Sequence, residues 1–286
     1  MHRRRCVRVS LPTPCGWLVE PLIEPAMTSS RIADMIPGMT DDPIASHKLA
    51  VLIDADNASP QIAAGLFEEI AKIGEASVRR IYGDFTGTRL KGWAEIAPLY
   101  ACLPHQNFAN TVGKNASDIA LVIDAMDLLH SGRFDGFCLV SSDGDFTRLA
   151  ARIREQGIDV FGFGENKTPA SFRQACKRFI YTENLTSPGK AAPVVPASQI
   201  AGDAAKATGL SATAAAALIE TALGQLDDQA GWYFLGSVGQ RLIALTPDFD
   251  PRNYGCAKLI TLIEKIDAFD VRRDGLKVYI RPRRIA

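Results

Sequence analysis

The stretch KLAVLIDADN, residues 48–57, sets an apolar run at residues 50–53 directly before Asp54. An apolar run that ends in polar turn residues is typical of a strand buried on both faces, as in the parallel sheets of α/β proteins. Ligands of open α/β sheets bind at the carboxyl ends of the strands. The stretch therefore predicts a buried parallel strand that delivers the Asp54 carboxylate to the edge of the sheet where chemistry takes place.

Strand-like and helix-like segments alternate from this stretch to about residue 185. The expected further strands are 76–82, about 98–103, 137–146, 157–164 and 179–184, and the expected helices are 60–72, 89–96, 115–130, 147–156 and 170–178, with a loop at 105–114. Ser59 is expected to cap the first helix, with Pro60 in its first turn. The helix 115–130 carries an apolar series at positions 119, 122, 123, 126 and 129. This alternation predicts an α/β fold with a Rossmann-like, mostly parallel sheet and helices on both faces.

The rest of the chain divides by composition. Residues 1–46 hold six of the sixteen prolines and show no sustained period, so they are expected to be a disordered or loosely packed extension, with Met27, Met35 and Met39 as alternative starts. The first domain is placed at 47–186, and an Ala-, Pro- and Gly-rich flexible linker at 187–212. Residues 213–286 read as three helices and a hairpin that turns at Asp274 and Gly275, which predicts a small winged helix-turn-helix domain.

Charge is balanced overall but is unevenly distributed. The chain has 32 Lys and Arg against 32 Asp and Glu, so no global field draws it to nucleic acid. Residues 252–286 hold nine basic against four acidic side chains, whereas residues 48–185 hold fifteen against seventeen. This asymmetry favours a division between an acidic site and a basic surface that grips a partner.

The six cysteines and the sequence hydropathy point to the cytoplasm. No CxxC pair or zinc-type spacing with the four histidines is present, and Cys138 is expected to be a reduced core residue. No apolar stretch reaches the roughly 18 residues of a membrane span. The basic start MHRRRC is followed by a segment too rich in proline for a signal-peptide core. We therefore expect a cytoplasmic protein that makes no membrane contact.

The predicted sheet brings four carboxylates together, and these are the candidate catalytic residues: Asp54, Asp118, Asp143 and Asp145. Clustered carboxylates raise one another's pKa, and a hard divalent cation such as Mg²⁺ or Mn²⁺ relieves that conflict. A metal ion held in this way suits phosphodiester hydrolysis. Asp124 and Asp127 follow Asp118 by six and nine residues on the same helix, so they are expected to point elsewhere, as solvated or supporting groups.

Some of these carboxylates also have purely structural interpretations. Asp118 fits the third position of a capping box whose N-cap is Asn115. Asp145 fits the cap of the helix that begins near residue 146, and Asp56 fits a turn. Asp54 and Asp143 are favoured for function, because other residues are available to cap the two neighbouring helices.

Four motifs carry a resemblance to a known family. IDADN (53–57), GKNASDIALVIDAMDLL (113–129), LVSSDGDF (139–146) and VFGFG (160–164) resemble, in this order, the NYN family of the PIN-like nuclease superfamily, in its LabA-like branch. The similarity covers roughly residues 48–185. It implies a metal-dependent ribonuclease with a Rossmann-like sheet, in which Asp54, Asp118, Asp143 and Asp145 hold Mg²⁺ or Mn²⁺.

The resemblance also implies roles for neighbouring polar residues. Asn57 is expected to orient the metal-bound water or the substrate phosphate. Ser141 and Ser142 are expected to hydrogen-bond near the scissile phosphate, although serine is also common at strand ends. Lys114 and Asn115 are expected at the mouth of the site, where Lys114 contacts the RNA backbone or is simply solvated.

The C-terminal segment has its own resemblance. GWYFLGSVGQRL (231–242), followed by PDFDPRNYGCAKLITLIEKIDAFDVRR (247–273), resembles the OST-HTH (LOTUS) domain, which implies binding to RNA or to a protein partner, including a second copy of this chain. Basic residues flank the expected wing: Arg272, Arg273, Lys277, Arg281, Arg283 and Arg284. They are expected to neutralise phosphates, while Tyr254 and Tyr279 stack on bases. The alternative is that the tyrosines lie in the core and the basic side chains are merely solvated.

Together these features predict a two-domain, metal-dependent nuclease, with endonucleolytic cutting of RNA as the leading expectation and a flexibly tethered domain that binds RNA. Two alternatives stay open. One is a non-catalytic regulatory module that binds RNA or protein. The other is a phosphatase of the haloacid dehalogenase kind, with Asp54 and Asp56 as its nucleophile and acid. The phosphatase also requires a hydroxyl at another strand end, whereas Ser141 and Ser142 share the segment of Asp143.

Overall fold

The computed structural model of the chain describes residues 47–107, 116–186, 212–228 and 231–283. The expectations for the extension 1–46, for the linker up to residue 211, and for Lys114, Asn115 and Arg284 lie outside these ranges. Contacts between Cα atoms place Asp42–Ala286 in one compact unit, which contains both the α/β domain and the C-terminal domain.

The first domain is built on six parallel strands in the order β3-β2-β1-β4-β5-β6. Their bounds are β1 Lys48–Asp54, β2 Glu75–Gly83, β3 Leu103–Gln106, β4 Gly136–Val140, β5 Asp159–Gly164 and β6 Arg178–Tyr181. This is the Rossmann strand order, in which the chain reverses direction across the sheet between β1 and β4. The mostly parallel sheet predicted from the sequence is confirmed, and its switch point lies at the end of the KLAVLID strand.

Helices cover both faces of this sheet, as predicted. Their bounds are α1 Ala63–Ala71, α2 Lys91–Ile96, α3 Ala116–His130, α4 Thr147–Glu155 and α5 Ala170–Ala175. Alternate residues of β1 serve the two cores: Leu49, Val51 and Ile53 pack with α1 and α2, whereas Ala50 and Leu52 pack with α3, α4 and α5. Every residue of β1 after Lys48 is buried, which explains why its sequence is apolar without alternation.

The largest differences from the sequence prediction concern the third and fourth strands. The third strand was expected at 98–103, but a 3-10 helix, Ala97–Tyr100, occupies most of that segment and Ala101 follows with a φ of 50°. Strand β3 therefore begins at Leu103, and His105 and Gln106, which were expected in a loop, belong to it. The fourth strand was expected to run to residue 146 but ends at Val140, because the next residues turn into a 3-10 helix, Gly144–Phe146.

Helix α3 packs with a different face from the one that its apolar series suggests. Leu121, Ala125, Leu128 and Leu129 are buried, whereas Ile119 and Ile123 are 62% and 56% exposed. Buried and exposed apolar residues lie side by side on this helix, so hydrophobic spacing alone does not identify the buried face. Two isoleucines are consequently left exposed in the first two turns of α3.

The C-terminal domain is a winged helix, as predicted. Its elements are α6 Ala212–Leu223, β7 Tyr233–Phe234, α7 Leu235–Leu245, α8 Leu259–Ile266, β8 Phe269–Asp274 and β9 Lys277–Pro282. The three strands are antiparallel in the order β7-β9-β8. The β8–β9 turn is one residue later than predicted: Asp274 pairs with Lys277, so Gly275 and Leu276 form the turn, with Gly275 at a φ of 58°. Within the described ranges, no helix has the length and hydropathy needed to cross a membrane.

Candidate active site

The Asp54 carboxylate lies at the end of β1 and is 1% exposed. Its Oδ1 accepts a hydrogen bond from the Asp56 backbone N–H at 3.1 Å, and its Oδ2 accepts from Asn57 Nδ2 at 2.8 Å and from Ser141 Oγ at 2.7 Å. Burial raises the pKa of Asp54 and outweighs the hydrogen bonds, which act in the opposite direction. Asp54 is therefore held in one orientation by three donors while its charge remains poorly solvated.

Asp143 and Asp145 follow β4 and are linked to Asp54 through Ser141. The Ser141 hydroxyl accepts from the Asp143 backbone N–H at 3.0 Å, and Asp143 Oδ1 accepts from the Asp145 backbone N–H at 2.9 Å. Asp143 is thus the N-cap of the 3-10 helix, a role that the sequence assigned to Asp145. Because the cap uses Oδ1 and a carboxylate has two oxygens, capping does not exclude a second ligand for Asp143.

Asp118 stands in the first turn of α3, within the field of the other carboxylates. Its pKa is raised to about 6, first by burial and then by the negative charges of Asp54, Asp143, Asp56 and Asp145. The structure therefore brings the other three predicted acidic residues close enough to Asp118 for their charges to act on it, at the switch point of the sheet. Asp56 joins them, although the sequence indicated a turn at that position, or the general acid of the phosphatase alternative, and not a member of this cluster.

The surroundings of Asp56 include two further polar residues that the sequence gave no reason to select. Arg89 Nη2 forms an ion pair with Asp56 Oδ1, and Ser117 Oγ donates to Asp56 Oδ2 at 2.9 Å. Ser117 belongs to α3, so Asp56 ties the turn after β1 to the helix that carries Asp118. The Asp-Ala-Asp spacing at 54–56 is a usable signal for Asp56, but nothing local in the sequence marks the pairing with Arg89, 33 residues away.

The other predicted polar residues have defined places. Ser141 and Ser142 are buried, at 2% and 8% exposure. The Ser142 hydroxyl accepts from the Glu165 backbone N–H at 2.9 Å, which ties the end of β4 to the end of β5. Asn57 is exposed and reaches back to Asp54. Both serine hydroxyls are thus engaged inside the protein, where they brace the strand ends that carry the carboxylates.

A second polar cluster surrounds Asp124, which lies further along α3 than Asp118. Asp124 Oδ2 accepts from Arg80 Nη1 at 2.7 Å and from Tyr82 Oη at 2.8 Å, and His105 Nδ1 lies 3.3 Å away. Asp124 therefore acts as a supporting group, which is one of its two predicted roles, and it connects α3 to β2 and β3. Burial and the Asp124 charge both raise the pKa of Tyr82, so this tyrosine stays protonated as the donor.

An apolar cleft of about 250 Å³ adjoins the acidic centre. Its walls are Asp118, Ile119, Val122, Ile123, Asp145 and Phe146. The exposed isoleucines of α3 therefore stand beside the candidate catalytic carboxylates.

The donor chemistry of the acidic centre fits a hard divalent cation. All four candidate ligands are carboxylates, and their mutual repulsion, visible in the raised pKa of Asp118, is what a bound cation relieves. In the part of the chain that the structure describes, no group of three or more His, Cys, Asp or Glu side chains is arranged to hold a metal ion. A metal site thus rests on the kind and charge of the side chains and not on a preformed cage.

A cationic and aromatic surface lies on the C-terminal domain; we call Trp232, Arg272, Tyr279 and Arg281 the wing patch. The Arg272 guanidinium lies 4.8 Å from the Trp232 ring centroid and 5.1 Å from that of Tyr279, and Arg281 lies 4.6 Å from Trp232. Trp232 was missed in the sequence, because it lies 40 residues before Arg272 and joins it only through the sheet. Trp232 and Tyr279 are only half-buried, so the patch offers charge and stacking together.

The remaining predicted RNA-binding residues divide. Arg273 is ion-paired with Glu264 at 3.0 Å, and Lys277 is exposed beside the turn of the wing. Arg281 also pairs with Asp270, at 3.0 Å. The stacking role expected for Tyr254 is wrong, because that side chain is buried and packs against Phe249, with ring centroids 5.8 Å apart.

An α/β domain with carboxylates at its switch point, joined to a winged helix with a basic wing, is thus the class that the fold and the site define. Family comparison makes the assignment specific. The model of the NYN domain matches residues 48–185, and the model of the OST-HTH/LOTUS domain matches residues 210–281. The chain carries an NYN domain followed by an OST-HTH/LOTUS domain, which confirms the architecture recognised in the sequence.

Solved structures and curated proteins add little to this assignment. A crystal structure of a protein of unknown function from Vibrio parahaemolyticus RIMD 2210633 is 19% identical, covers 50% of this chain and 96% of its own, and has a TM-score of 0.41. A solution NMR structure of an uncharacterized protein from Nitrosomonas europaea is 27% identical, covers 35% of this chain and 95% of its own, and has a TM-score of 0.23. No curated protein matches the chain.

Proposed function

We propose that the NYN domain is a metal-dependent ribonuclease that hydrolyses RNA phosphodiester bonds, and that the OST-HTH/LOTUS domain binds the RNA. The observation that carries this proposal is the acidic centre itself: five carboxylates gather at the switch point, where burial and then the charges of the other four raise the pKa of Asp118 to about 6. Such a site favours a cation, and phosphoryl chemistry is what a cation on carboxylates supports best.

Asp54, Asp118, Asp143 and Asp145 would hold Mg²⁺ or Mn²⁺. When bound, the ion polarises a phosphoryl oxygen and lowers the pKa of the attacking water. The protein contributes orientation. Ser141 and Asn57 fix the Asp54 carboxylate through hydrogen bonds of 2.7 Å and 2.8 Å, so that it presents its charge without rearrangement.

Arg89 supplies a cation at the edge of this acidic centre. Its side chain is 70% exposed and pairs with Asp56, whose other oxygen is held by Ser117. A guanidinium in that place can leave the carboxylate for a substrate phosphate, to which it binds with two parallel hydrogen bonds. We assign Arg89 to phosphate positioning. This adds to the substrate-contacting roles that are expected of Asn57, Ser141, Ser142, Lys114 and Asn115.

RNA binding by the C-terminal domain is proposed to use the wing patch, together with Arg273 and Lys277. Its guanidinium groups neutralise phosphates, and Trp232 and Tyr279 provide faces on which unpaired bases stack. A protein partner or a second copy of the chain is the alternative occupant of this surface.

The phosphatase alternative is less well supported. Asp56 would have to act as a free general acid, yet its carboxylate is engaged by Arg89 and Ser117. Ser141 donates to Asp54 itself.

A nuclease assay tests the proposal. Purified full-length protein is incubated with end-labelled, unstructured RNA in Mn²⁺, in Mg²⁺ and in EDTA, beside the Asp54→Asn and Asp143→Asn variants. We expect cleavage with the metal ions, none in EDTA, and none with either variant, while circular dichroism and RNA binding stay unchanged. Cleavage that survives EDTA, or full activity in both variants, overturns the assignment.

A further inference from the structure

The edge of the NYN sheet is covered by a loop of the OST-HTH/LOTUS domain. Strand β6 is the last strand of the sheet, so its outer side has no neighbouring strand. The Phe179 backbone N–H on this strand donates to the Pro247 carbonyl oxygen at 2.8 Å. An exposed edge strand pairs readily with other chains, and covering it with a loop is one way in which proteins prevent this. We call residues 246–254 the docking loop.

Asp248 of the docking loop meets two donors from the NYN domain. Arg173 on α5 forms an ion pair with Asp248 Oδ2, and the Tyr181 hydroxyl on β6 donates to the same oxygen at 2.6 Å. Burial, followed by the Asp248 hydrogen bond and charge, raises the pKa of Tyr181 to about 12. The tyrosine therefore remains a donor, and both contacts are charge-assisted, which makes them stronger than neutral hydrogen bonds.

A second ion cluster crosses the same boundary. Arg252 of the docking loop binds Asp250 at 2.7 Å and reaches Glu69 of α1 at 3.3 Å. Glu69 is 5% exposed, and Arg178 of β6 lies 3.7 Å from its other oxygen. Burial tends to raise the pKa of Glu69, but Lys72, Arg252 and Arg178 outweigh it and lower that pKa. Each buried carboxylate in this cluster thus has a cation beside it.

The docking loop is also braced in its contact conformation. Asp250 caps the short 3-10 helix Pro251–Tyr254, which Gly255 ends with a φ of 72°. Asn253 is 3% exposed: its Nδ2 donates to the Asp248 carbonyl at 2.9 Å, and its Oδ1 accepts from Asn184 Nδ2 of the NYN domain at 2.7 Å. The groups that meet the NYN domain are therefore held in place by the loop itself, which lowers the entropy that docking costs.

We propose that the docking loop locks the two domains into one rigid body in solution, in place of the flexible tether expected from the linker composition. Domains joined in one chain move relative to one another unless their interface is substantial. Here the interface combines a backbone hydrogen bond on the sheet edge, two ion clusters and an amide pair, with complementary charges on the two sides. A charge left unpaired in such an interface is costly, so partial opening is disfavoured.

Rigid docking has a consequence for RNA. The wing patch is held at a fixed offset from the acidic centre, so an RNA bound at the patch is presented to the NYN domain at one spacing. A tether would allow a broad range of spacings. The docking itself does not depend on nuclease activity, and it holds whether the NYN domain cuts RNA or only binds it.

Nuclear magnetic relaxation of the full-length protein tests the proposal directly. We expect backbone amides of both domains to report one rotational correlation time in the wild-type protein. Asp248→Arg places a cation against Arg173 and is expected to separate the two correlation times and to lengthen the maximum dimension in small-angle X-ray scattering. The charge-swapped double variant, Arg173→Asp with Asp248→Arg, is expected to restore the single correlation time.

The matched control is Asp267→Arg, which breaks an exposed ion pair with Arg283 inside the OST-HTH/LOTUS domain and is expected to change neither measurement. Two different correlation times in the wild-type protein overturn the proposal, whatever the variants do. So does an Asp248→Arg protein that is folded and still tumbles as one body. If Asp248→Arg does not fold, the wild-type measurement decides alone.

Discussion

The acidic centre and the docking interface each gather buried carboxylates, but they treat the charge in opposite ways. At the interface, Glu69 is surrounded by Lys72, Arg178 and Arg252, and its pKa is lowered in spite of burial. At the centre, Asp54 is held by neutral donors and Asp118 faces other carboxylates, and the pKa values of both are raised, first of all by burial. At the switch point the cation that the structure describes, Arg89, pairs with the partly exposed Asp56 and not with Asp54 or Asp118. The uncompensated charge is what a cation can satisfy, and this separates a site from a structural ion pair.

The largest expected effect is the loss of nuclease activity when a carboxylate of the acidic centre is replaced. Asp118→Asn removes one charge from the centre and one ligand from the proposed metal. Since metal catalysis contributes several kcal/mol and each 1.36 kcal/mol is a factor of ten, we expect cleavage to fall by about 10³-fold. Single-turnover cleavage of a labelled RNA in Mn²⁺ measures this. Asp127→Asn, an identical change on the exposed side of α3, should keep wild-type activity; equal losses in the two variants contradict the assignment.

Substitutions in the docking interface should lower stability, whereas substitutions in the acidic centre should lower activity. Glu69→Gln removes one of the two carboxylates on which Arg252 and Arg178 converge, and leaves Asp250 as the other. Breaking one side of a buried pair costs about 3–5 kcal/mol. Because Asp250 remains beside both arginines, we expect a smaller fall in the free energy of unfolding, of about 2 kcal/mol. Urea denaturation of the metal-free protein measures it. Asp118→Asn in the same experiment should be neutral or stabilising, because it removes repulsion; destabilisation of similar size by both changes removes the distinction.

The acidic centre could be predicted from the sequence and the docking interface could not, for a physical reason. The acidic centre was accessible because parallel strands must place their carboxyl ends at one edge, so Asp54 and Asp143 had to be neighbours once β1 and β4 were recognised. Asp118 followed from its place at the start of α3. What the sequence did not show was which carboxylate caps a helix: Asp145 was expected to do so, but Asp143 caps the 3-10 helix by accepting from the Asp145 backbone N–H.

The docking interface could not be predicted in this way. Glu69 and Arg252 are 183 residues apart, and no periodic pattern connects them. PDFDPRNY has the composition of an ordinary surface loop, and nothing in it marks a contact with the first domain. The contacts of Arg89 and Trp232 were not predicted for the same reason, since their partners are distant in sequence. Local patterns establish strands and helices, whereas contacts between side chains on separate elements depend on how those elements pack.

The pH dependence of stability sharpens the comparison further, with a smaller expected effect. The pKa of Asp118 is about 6 in the folded protein and 3.8 in an unperturbed chain, so the folded state binds more protons between these values. The resulting stabilisation is fully present below about pH 3.8 and is lost as the pH rises through about 6. Thermal melting of the metal-free protein should therefore show a wild-type melting temperature that falls, relative to Asp118→Asn, between pH 4 and pH 7.

Mg²⁺ should reverse this dependence, because it binds the ionised carboxylates and so stabilises the folded protein at pH 7 more than at pH 5. The same titration of Asp127→Asn serves as the control and should follow the wild type. A wild-type protein whose melting temperature parallels that of Asp118→Asn across this range shows that Asp118 does not share the field of the other carboxylates.

The smallest expected effect is on RNA binding by the wing patch, whose charge is positive where that of the acidic centre is negative. Arg272 stacks on Trp232 and Tyr279, whereas Arg283 is engaged by Asp267 and Asp270 in the same terminal ribbon. If uncompensated charge marks a binding surface here as well, Arg272→Ala should weaken RNA binding by about 1 kcal/mol and reduce the slope of log K against log salt by about one, as expected for the loss of a phosphate contact. Arg283→Ala should change neither quantity, because the charge of Arg283 is already neutralised.

Fluorescence anisotropy over a salt series, in the metal-free protein to prevent cleavage, measures RNA binding by both variants. Equal effects of the two substitutions mean that RNA senses only the net charge of the ribbon and that stacking on Trp232 plays no part.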